Sequence, residues 1–252
     1  MTKKNINPSK VALITGGGRR VGAAIARELH AKDMKVVLHC NASESEAKKL
    51  CDELNKQRQG SATILTADLS IFDSINPLIQ QAVDTWGQLD ALVNNASVFY
   101  KTEIGNVSSH TWDELLNINL KAPFFLAQAA FPHLAKQKGC IVNIIDIHAT
   151  RPMCEHPVYS ISKAGLLMLT KTLARELAPA VRVNAVSPGQ VLWPEGENTL
   201  SAAVKQKILD RIPLQRQGSP AELAKAVSFL ILDATYITGH DLVVDGGRLL
   251  FG

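Results

Sequence analysis

The sequence predicts an α/β protein: one doubly wound domain with a seven-stranded parallel sheet and helices on both faces. Three observations carry this expectation. Short Val- and Ile-rich runs alternate with longer amphipathic stretches along the chain, and parallel neighbours need such crossovers. A chain of 252 residues can bury about three quarters of its extended surface, enough for one core without disulfides or metal. The composition, 46% hydrophobic and 20% charged, excludes disordered, collagenous and coiled-coil chains.

The elements follow in order along 1–252. Residues 1–9 hold no apolar core and read as a flexible N-terminus rather than a secretory signal. Strands are expected at Val11–Thr15, Lys35–His39, Ala62–Thr66, Ala91–Val93, Cys140–Ile145, Val181–Ala185 and Leu242–Val244. Between them the apolar spacing predicts helices at Arg20–Ala31, Glu44–Gln57, Ile71–Trp86, Thr111–Lys136, Pro157–Leu177 and Pro220–Leu232. Ser43 with Glu46, and Ser219-Pro220 with Glu222, read as capping boxes that start two of these helices. A substrate-lid region is expected over 188–210. Its least regular part, Pro188 to about Leu200, reads equally well as a plain surface loop.

No apolar run approaches the roughly 18 residues that cross a bilayer, so a soluble, cytoplasmic protein is expected. The net charge of +4 is spread over 27 Lys and Arg in runs no longer than two, which gives no stripe for nucleic acid. Cys40, Cys51, Cys140 and Cys154 lack metal-ligand spacing and read as reduced thiols; no metal is expected.

The first strand runs through Thr15-Gly16-Gly17-Gly18-Arg19-Arg20-Val21-Gly22 into a helix. Glycines there permit a tight turn, and the helix N-terminus offers free amides to a pyrophosphate. The second strand ends at His39-Cys40-Asn41-Ala42-Ser43, with no carboxylate until Glu44. Asn41 and Ser43 can donate to a 2′-phosphate, and Arg19 and Arg20 bring guanidinium groups nearby, which favours NADPH over NADH. Arg19 reads equally well as a solvated charge. Farther on, Tyr159 and Lys163 stand one helical turn apart, where a lysine cation can stabilise a phenolate.

With these residues, Asp68-Leu69, Asn94-Asn95-Ala96, Asn119, Pro188-Gly189 and Asp245-Gly246-Gly247, the chain resembles a short-chain dehydrogenase/reductase of the Rossmann fold from about Lys10 to Gly247. The resemblance implies that Asp68 holds the adenine edge and that Asn95 and Ala96 line the cofactor. It implies that Lys163 grips the nicotinamide ribose, that Asn119 anchors a proton path, and that the protein is a homotetramer. The apolar surface of Thr111–Lys136 and Pro157–Leu177 agrees with a subunit interface.

Two departures redirect the expected substrate. Asp146 stands where the family usually has a serine, and an ionised carboxylate cannot donate to a ketone oxygen. Ser97 follows Ala96 where glycine is usual, with Phe99 close behind. Both departures, with Arg20 and the ending Asp245 to Arg248, resemble the pteridine reductases and dihydromonapterin reductases. That resemblance implies NADPH-dependent reduction of a pterin or folate-type C=N bond, with the ring stacked on Phe99 and bonded by Ser97 and Arg20. Asp146 would orient the pterin and Tyr159 would deliver the proton. Ala42 departs from the arginine many such enzymes carry there, which weakens the NADPH preference. Trp193 reads either as a cover over the substrate or as a loop anchor. His148, His156 and Cys154 are not expected to be catalytic. The alternatives are a carbonyl reductase, such as a 3-oxoacyl-carrier-protein reductase, and a non-catalytic NADP-binding sensor.

Overall fold

The computed structural model describes residues 9–193 and 200–250. Among them β1 (Val11–Ile14), β2 (Lys35–Cys40), β3 (Ala62–Thr66), β4 (Ala91–Asn94), β5 (Cys140–Ile144), β6 (Arg182–Pro188) and β7 (Asp241–Val244) form one sheet. Every neighbouring pair is parallel, in the order β3-β2-β1-β4-β5-β6-β7. Strand order reverses between β1 and β4, and a crevice opens beyond the carboxyl ends of the strands at such a switch.

The helices are α1 (Arg20–Ala31), α2 (Glu44–Gln57), α3 (Ile75–Trp86), α4 (Ser109–Leu116), α5 (Ala122–Gln137), α6 (Pro157–Glu176), α7 (Ala202–Leu209) and α8 (Pro220–Leu232). Successive strand residues point to opposite faces. Ala12 and Ile14 of β1 therefore pack with Ile25 of α1, Leu54 of α2 and Val227 of α8. Val11 and Leu13 pack with Ile79 of α3, Leu126 of α5 and Leu166 of α6. This is the doubly wound, single-domain Rossmann architecture that the alternation predicts.

Several boundaries differ from the expectation. The helix expected over Thr111–Lys136 is α4, a π-helical turn at Asn117–Lys121, and α5. Pro123 supplies the reason: it has no N–H for the Asn119 carbonyl four residues back, and Ala122 instead bonds the Asn117 carbonyl. Ile71–Trp86 begins as a 3₁₀ turn at Phe72–Ser74 before α3. The 188–210 region contains a helix, α7, that periodicity did not signal, because it buries no residue. The capping box at Ser219 and Glu222 forms; the one at Ser43 does not, since its side chain makes no cap bond. Residues 194–199 of the expected lid and 1–8 of the expected flexible N-terminus lie outside the described residues.

Candidate active site

A cleft of about 1010 Å³ lies beyond the carboxyl ends of the strands, near the upper end of small-ligand pocket volumes. One end is built by the glycine turn after β1. The Thr15 hydroxyl accepts from the amides of Asn95 and Ala96 at 2.9 and 3.0 Å. Asn95 Nδ2 donates back to the Thr15 and Gly16 carbonyls at 2.9 and 3.1 Å. Gly16 has φ +61°, and a Cβ on Gly22 would overlap the Gly16 carbonyl oxygen. A Cβ on Gly18 would stand 2.8 Å from the Ala47 Cβ, so α2 packs directly on the turn. Bare backbone at the N-terminus of α1 is the cradle a dinucleotide pyrophosphate requires.

His39 braces this turn from β2. Its Nδ1 accepts from the Gly16 amide at 3.3 Å while Nε2 donates to the Ala67 carbonyl at 3.0 Å. Accepting at one nitrogen and donating at the other requires the neutral ring, and burial lowers its pKa in agreement. Arg19, Arg20, Val21, Asn41 and Ser43 line the same end. So does Glu46, from the first turn of α2, a carboxylate that the sequence reading did not place there. Leu69 lines the cleft but Asp68 does not; its Oδ1 accepts from the Ser70 amide and hydroxyl at 2.9 and 2.7 Å. Pro188 and Gly189 line the far wall, and Gly189 lies so close to Asp245 that a Cβ would meet the Asp245 Cβ at 2.6 Å.

At the other end α6 presents Tyr159 and Lys163, both buried. The Tyr159 hydroxyl donates to Asp146 Oδ2 at 2.8 Å, and Asp146 Oδ1 accepts from the His148 amide at 2.9 Å. Lys163 Nζ donates to the Ile144 carbonyl at 3.1 Å and lies 5.7 Å from the Tyr159 ring centre. Burial raises the Tyr159 pKa well above 10, and the Asp146 charge and hydrogen bond raise it further. With its hydroxyl on the Asp146 carboxylate, Tyr159 is held as a proton-bearing donor. Burial depresses the Lys163 pKa to about 8, against the opposing pull of Asp146.

Asn119 does not line the cleft. Its Oδ1 accepts from the Ser97 hydroxyl and the Val98 amide at 3.0 and 2.9 Å; its Nδ2 donates to the Val98 carbonyl and Ser162 Oγ. Through these bonds the Asn119 side chain ties the Ser97–Val98 segment to α6. Ser97 and Phe99 do line the cleft. Phe99 stacks on His156 with ring centres 4.8 Å apart and meets Tyr159 edge-on at 4.8 Å. Trp193 does not line it; Arg20 Nη2 donates to its carbonyl at 3.4 Å, and Lys205 Nζ sits 5.6 Å from its ring centre.

The site also holds Lys101, Cys154, Glu155, His156 and Arg248, none of which the sequence reading assigned to function. Lys101 and Glu155 form an ion pair of 2.7 Å across the mouth. The only sequence signal for Arg248 is its place after Asp245-Gly246-Gly247. Among the described residues no cluster of His, Cys, Asp and Glu could hold a metal ion.

A family model described as Enoyl-(Acyl carrier protein) reductase matches residues 18–248. Glucose 1-dehydrogenase 2 of Bacillus subtilis is 35% identical over 248 residues, covering 96% of this chain and 95% of its own. A 3-oxoacyl-(acyl-carrier-protein) reductase of Synechocystis is 36% identical over 247 residues, covering 96% and 98%. The reductase of the same name from Staphylococcus epidermidis is 34% identical over 245 residues, covering 96% and 100%. A blue fluorescent protein from a metagenomic library, solved in complex with NADPH, superposes with a TM-score of 0.88 at 32% identity, covering 97% of this chain and 99% of that one. The sequence relatives bear the names of a glucose dehydrogenase and of 3-oxoacyl-(acyl-carrier-protein) reductases rather than of pteridine reductases. With the glycine cradle, the Tyr159–Lys163 pair and matches over nearly the whole length, the chain belongs to the short-chain dehydrogenase/reductase family.

Proposed function

We propose that the protein is an NADPH-dependent reductase of a planar C=N heterocycle of the pterin or folate class. The observation that carries this reading is the Tyr159–Asp146 hydrogen bond of 2.8 Å. A carboxylate accepts a proton's hydrogen bond and polarises the tyrosine as a donor, but it cannot itself donate to a carbonyl oxygen. It can also accept from N–H groups on a nitrogen heterocycle. Phe99, backed by His156, offers a flat wall for such a ring, and Ser97 and Arg20 offer polar contacts at its edge.

NADPH, when bound, supplies the hydride. Gly16, Val21 and Gly22 accommodate its pyrophosphate, and Asn95, Ala96, Pro188 and Gly189 border its nicotinamide half. Arg19, Arg20, Asn41 and Ser43 favour its 2′-phosphate, while Glu46 opposes it and Ala42 adds nothing. Lys163 would hold the ribose hydroxyls. Tyr159 would give its proton to the ring nitrogen as general acid, with Asp146 orienting both partners. The apolar side chains Trp112, Phe124, Ile161 and Met168, exposed on α4, α5 and α6, support assembly with further copies of the chain, as in the homotetramer that the family resemblance implies. Light scattering at one chain's mass would overturn that assembly.

A second reading, reduction of a 3-oxoacyl thioester, is favoured by the named relatives at 34–36% identity, which back it better than they back the pterin. The measurement that separates them is NADPH consumption at 340 nm with dihydrobiopterin, dihydromonapterin, dihydrofolate and an acetoacetyl thioester in parallel. Turnover confined to pterins supports the first reading; turnover confined to the thioester replaces it with the second. Tight NADPH binding without any turnover would favour a non-catalytic sensor.

A further inference from the structure

Arg248 lines the reacting end of the cleft, yet no hydrogen bond or ion pair reaches its guanidinium among the described residues. Its position is fixed from behind. Asp245 Oδ1 accepts from the Gly247 amide at 2.7 Å and Oδ2 from the Leu249 amide at 2.8 Å, so the turn around Arg248 is wound on that carboxylate. Both Asp245 oxygens are thereby engaged. Asp146, whose charge acts on Arg248 more strongly than any other, accepts from Tyr159 and the His148 amide and makes no hydrogen bond or ion pair with Arg248. Arg151 and Arg211 add positive charge around the same group. Arg248 is half-buried, and this partial desolvation holds its guanidinium below its ordinary pKa.

The charge balance at this end points the same way. Lys101 and Glu155 neutralise one another across the mouth. Leaving the histidines aside, Lys163 and Arg248 then face Asp146, an excess of one positive charge. A partly desolvated guanidinium with its planar fork of donors unused is matched by a pair of acceptor oxygens in one plane.

We propose that Arg248 docks a carboxylate carried by the substrate next to its reducible bond, and is a specificity-determining residue of this enzyme. The proposal rests on the reductase reading but not on the choice between pterin and oxoacyl substrate. Two pairs of probes test it, each an acid and a neutral analogue sharing one reducible group. They are 6-carboxy-7,8-dihydropterin with 6-hydroxymethyl-7,8-dihydropterin, and acetoacetate with its methyl ester. Steady-state kinetics with NADPH are measured for wild type, Arg248→Met and Arg248→Lys, after melting curves show that each variant is folded.

The expected result is that wild type prefers the acid in whichever pair reacts. Arg248→Met then loses at least tenfold in kcat/KM for the acid, mainly through KM, with the neutral analogue within twofold and Arg248→Lys in between. A loss shared equally by acid and neutral analogue, or no loss, overturns the dock and leaves the reductase reading standing. If neither pair reacts, the substrate reading fails. Equilibrium binding of the four probes to NADP⁺-loaded protein then decides: acid binding weakened tenfold in Arg248→Met retains the dock, and unchanged or undetectable binding overturns it.

Discussion

Tyr159 and Lys163 stand one turn apart on α6, but the charge that acts most on the tyrosine comes from Asp146, brought in from the end of β5. A protonated tyrosine with its hydroxyl on a carboxylate is a loaded donor at neutral pH. Tyr159→Phe removes the proton and little else, so turnover should fall roughly 10²–10⁴-fold while NADPH affinity stays within about threefold. Retained turnover in the NADPH-consumption assay would remove the tyrosine from the chemistry. Burying Lys163 also leaves a thermodynamic trace. Its folded pKa of about 8 lies below the unfolded value of about 10.4, so between them the unfolded chain holds more protons. Stability should therefore rise with pH from about 8 toward 10, the Lys163 contribution approaching about 1.4 kcal/mol per unit. Above about 10 Tyr159 acts oppositely, because the folded state keeps a proton that the unfolded chain releases. Denaturant titrations at pH 7 to 11 check the rise and the reversal, and Lys163→Met should flatten the rise.

At the scale of elements, the glycine turn and the helix starts invite separate tests. Gly22→Ala forces a Cβ into the Gly16 carbonyl oxygen, which only a shift of the turn can relieve. The expected cost is roughly 1–3 kcal/mol of stability together with at least tenfold weaker NADPH binding, read by melting and by nucleotide fluorescence. Ser219→Ala, at the capping box that opens α8, should cost about 1 kcal/mol and leave nucleotide affinity unchanged. A parallel loss of affinity would mean that α8 couples to the cleft. The contrast between the two serines shows what local sequence can encode. Ser219 and Glu222 bond reciprocally, as their spacing implies, whereas Ser43, with the same spacing, makes no cap bond beside the cleft. The π turn at Asn117–Lys121 was legible in principle from Pro123, but apolar periodicity runs through it without a break. Exposed α7 has no buried stripe to give it away.

Across the whole molecule, the parallel sheet follows from the alternation of strands and crossovers, and the central strands were readable because each is an apolar run packed between two layers, whereas the edge strand β7 packs on one face. The glycine turn and the Tyr159–Lys163 pair were readable because each lies within one short segment. Glu46, Lys101, His156 and Arg248 were not, since they come from four separate segments that only the fold assembles. The side-chain partners of Asp68, Asn119 and Trp193 were not readable for a related reason: spacing locates a residue but not the neighbour its side chain turns to.

His39 joins these scales. It is one imidazole wedged between the phosphate turn and the stretch after β3, and it can fill that place only without a second proton. Acid that reaches the ring converts the Gly16 acceptor into a donor facing a donor. Below the pKa of His39 the nucleotide's cradle would thus come apart before the sheet does, with loss of cofactor as the first sign of acid stress. Neutralising the solution would return the acceptor and, with it, the grip.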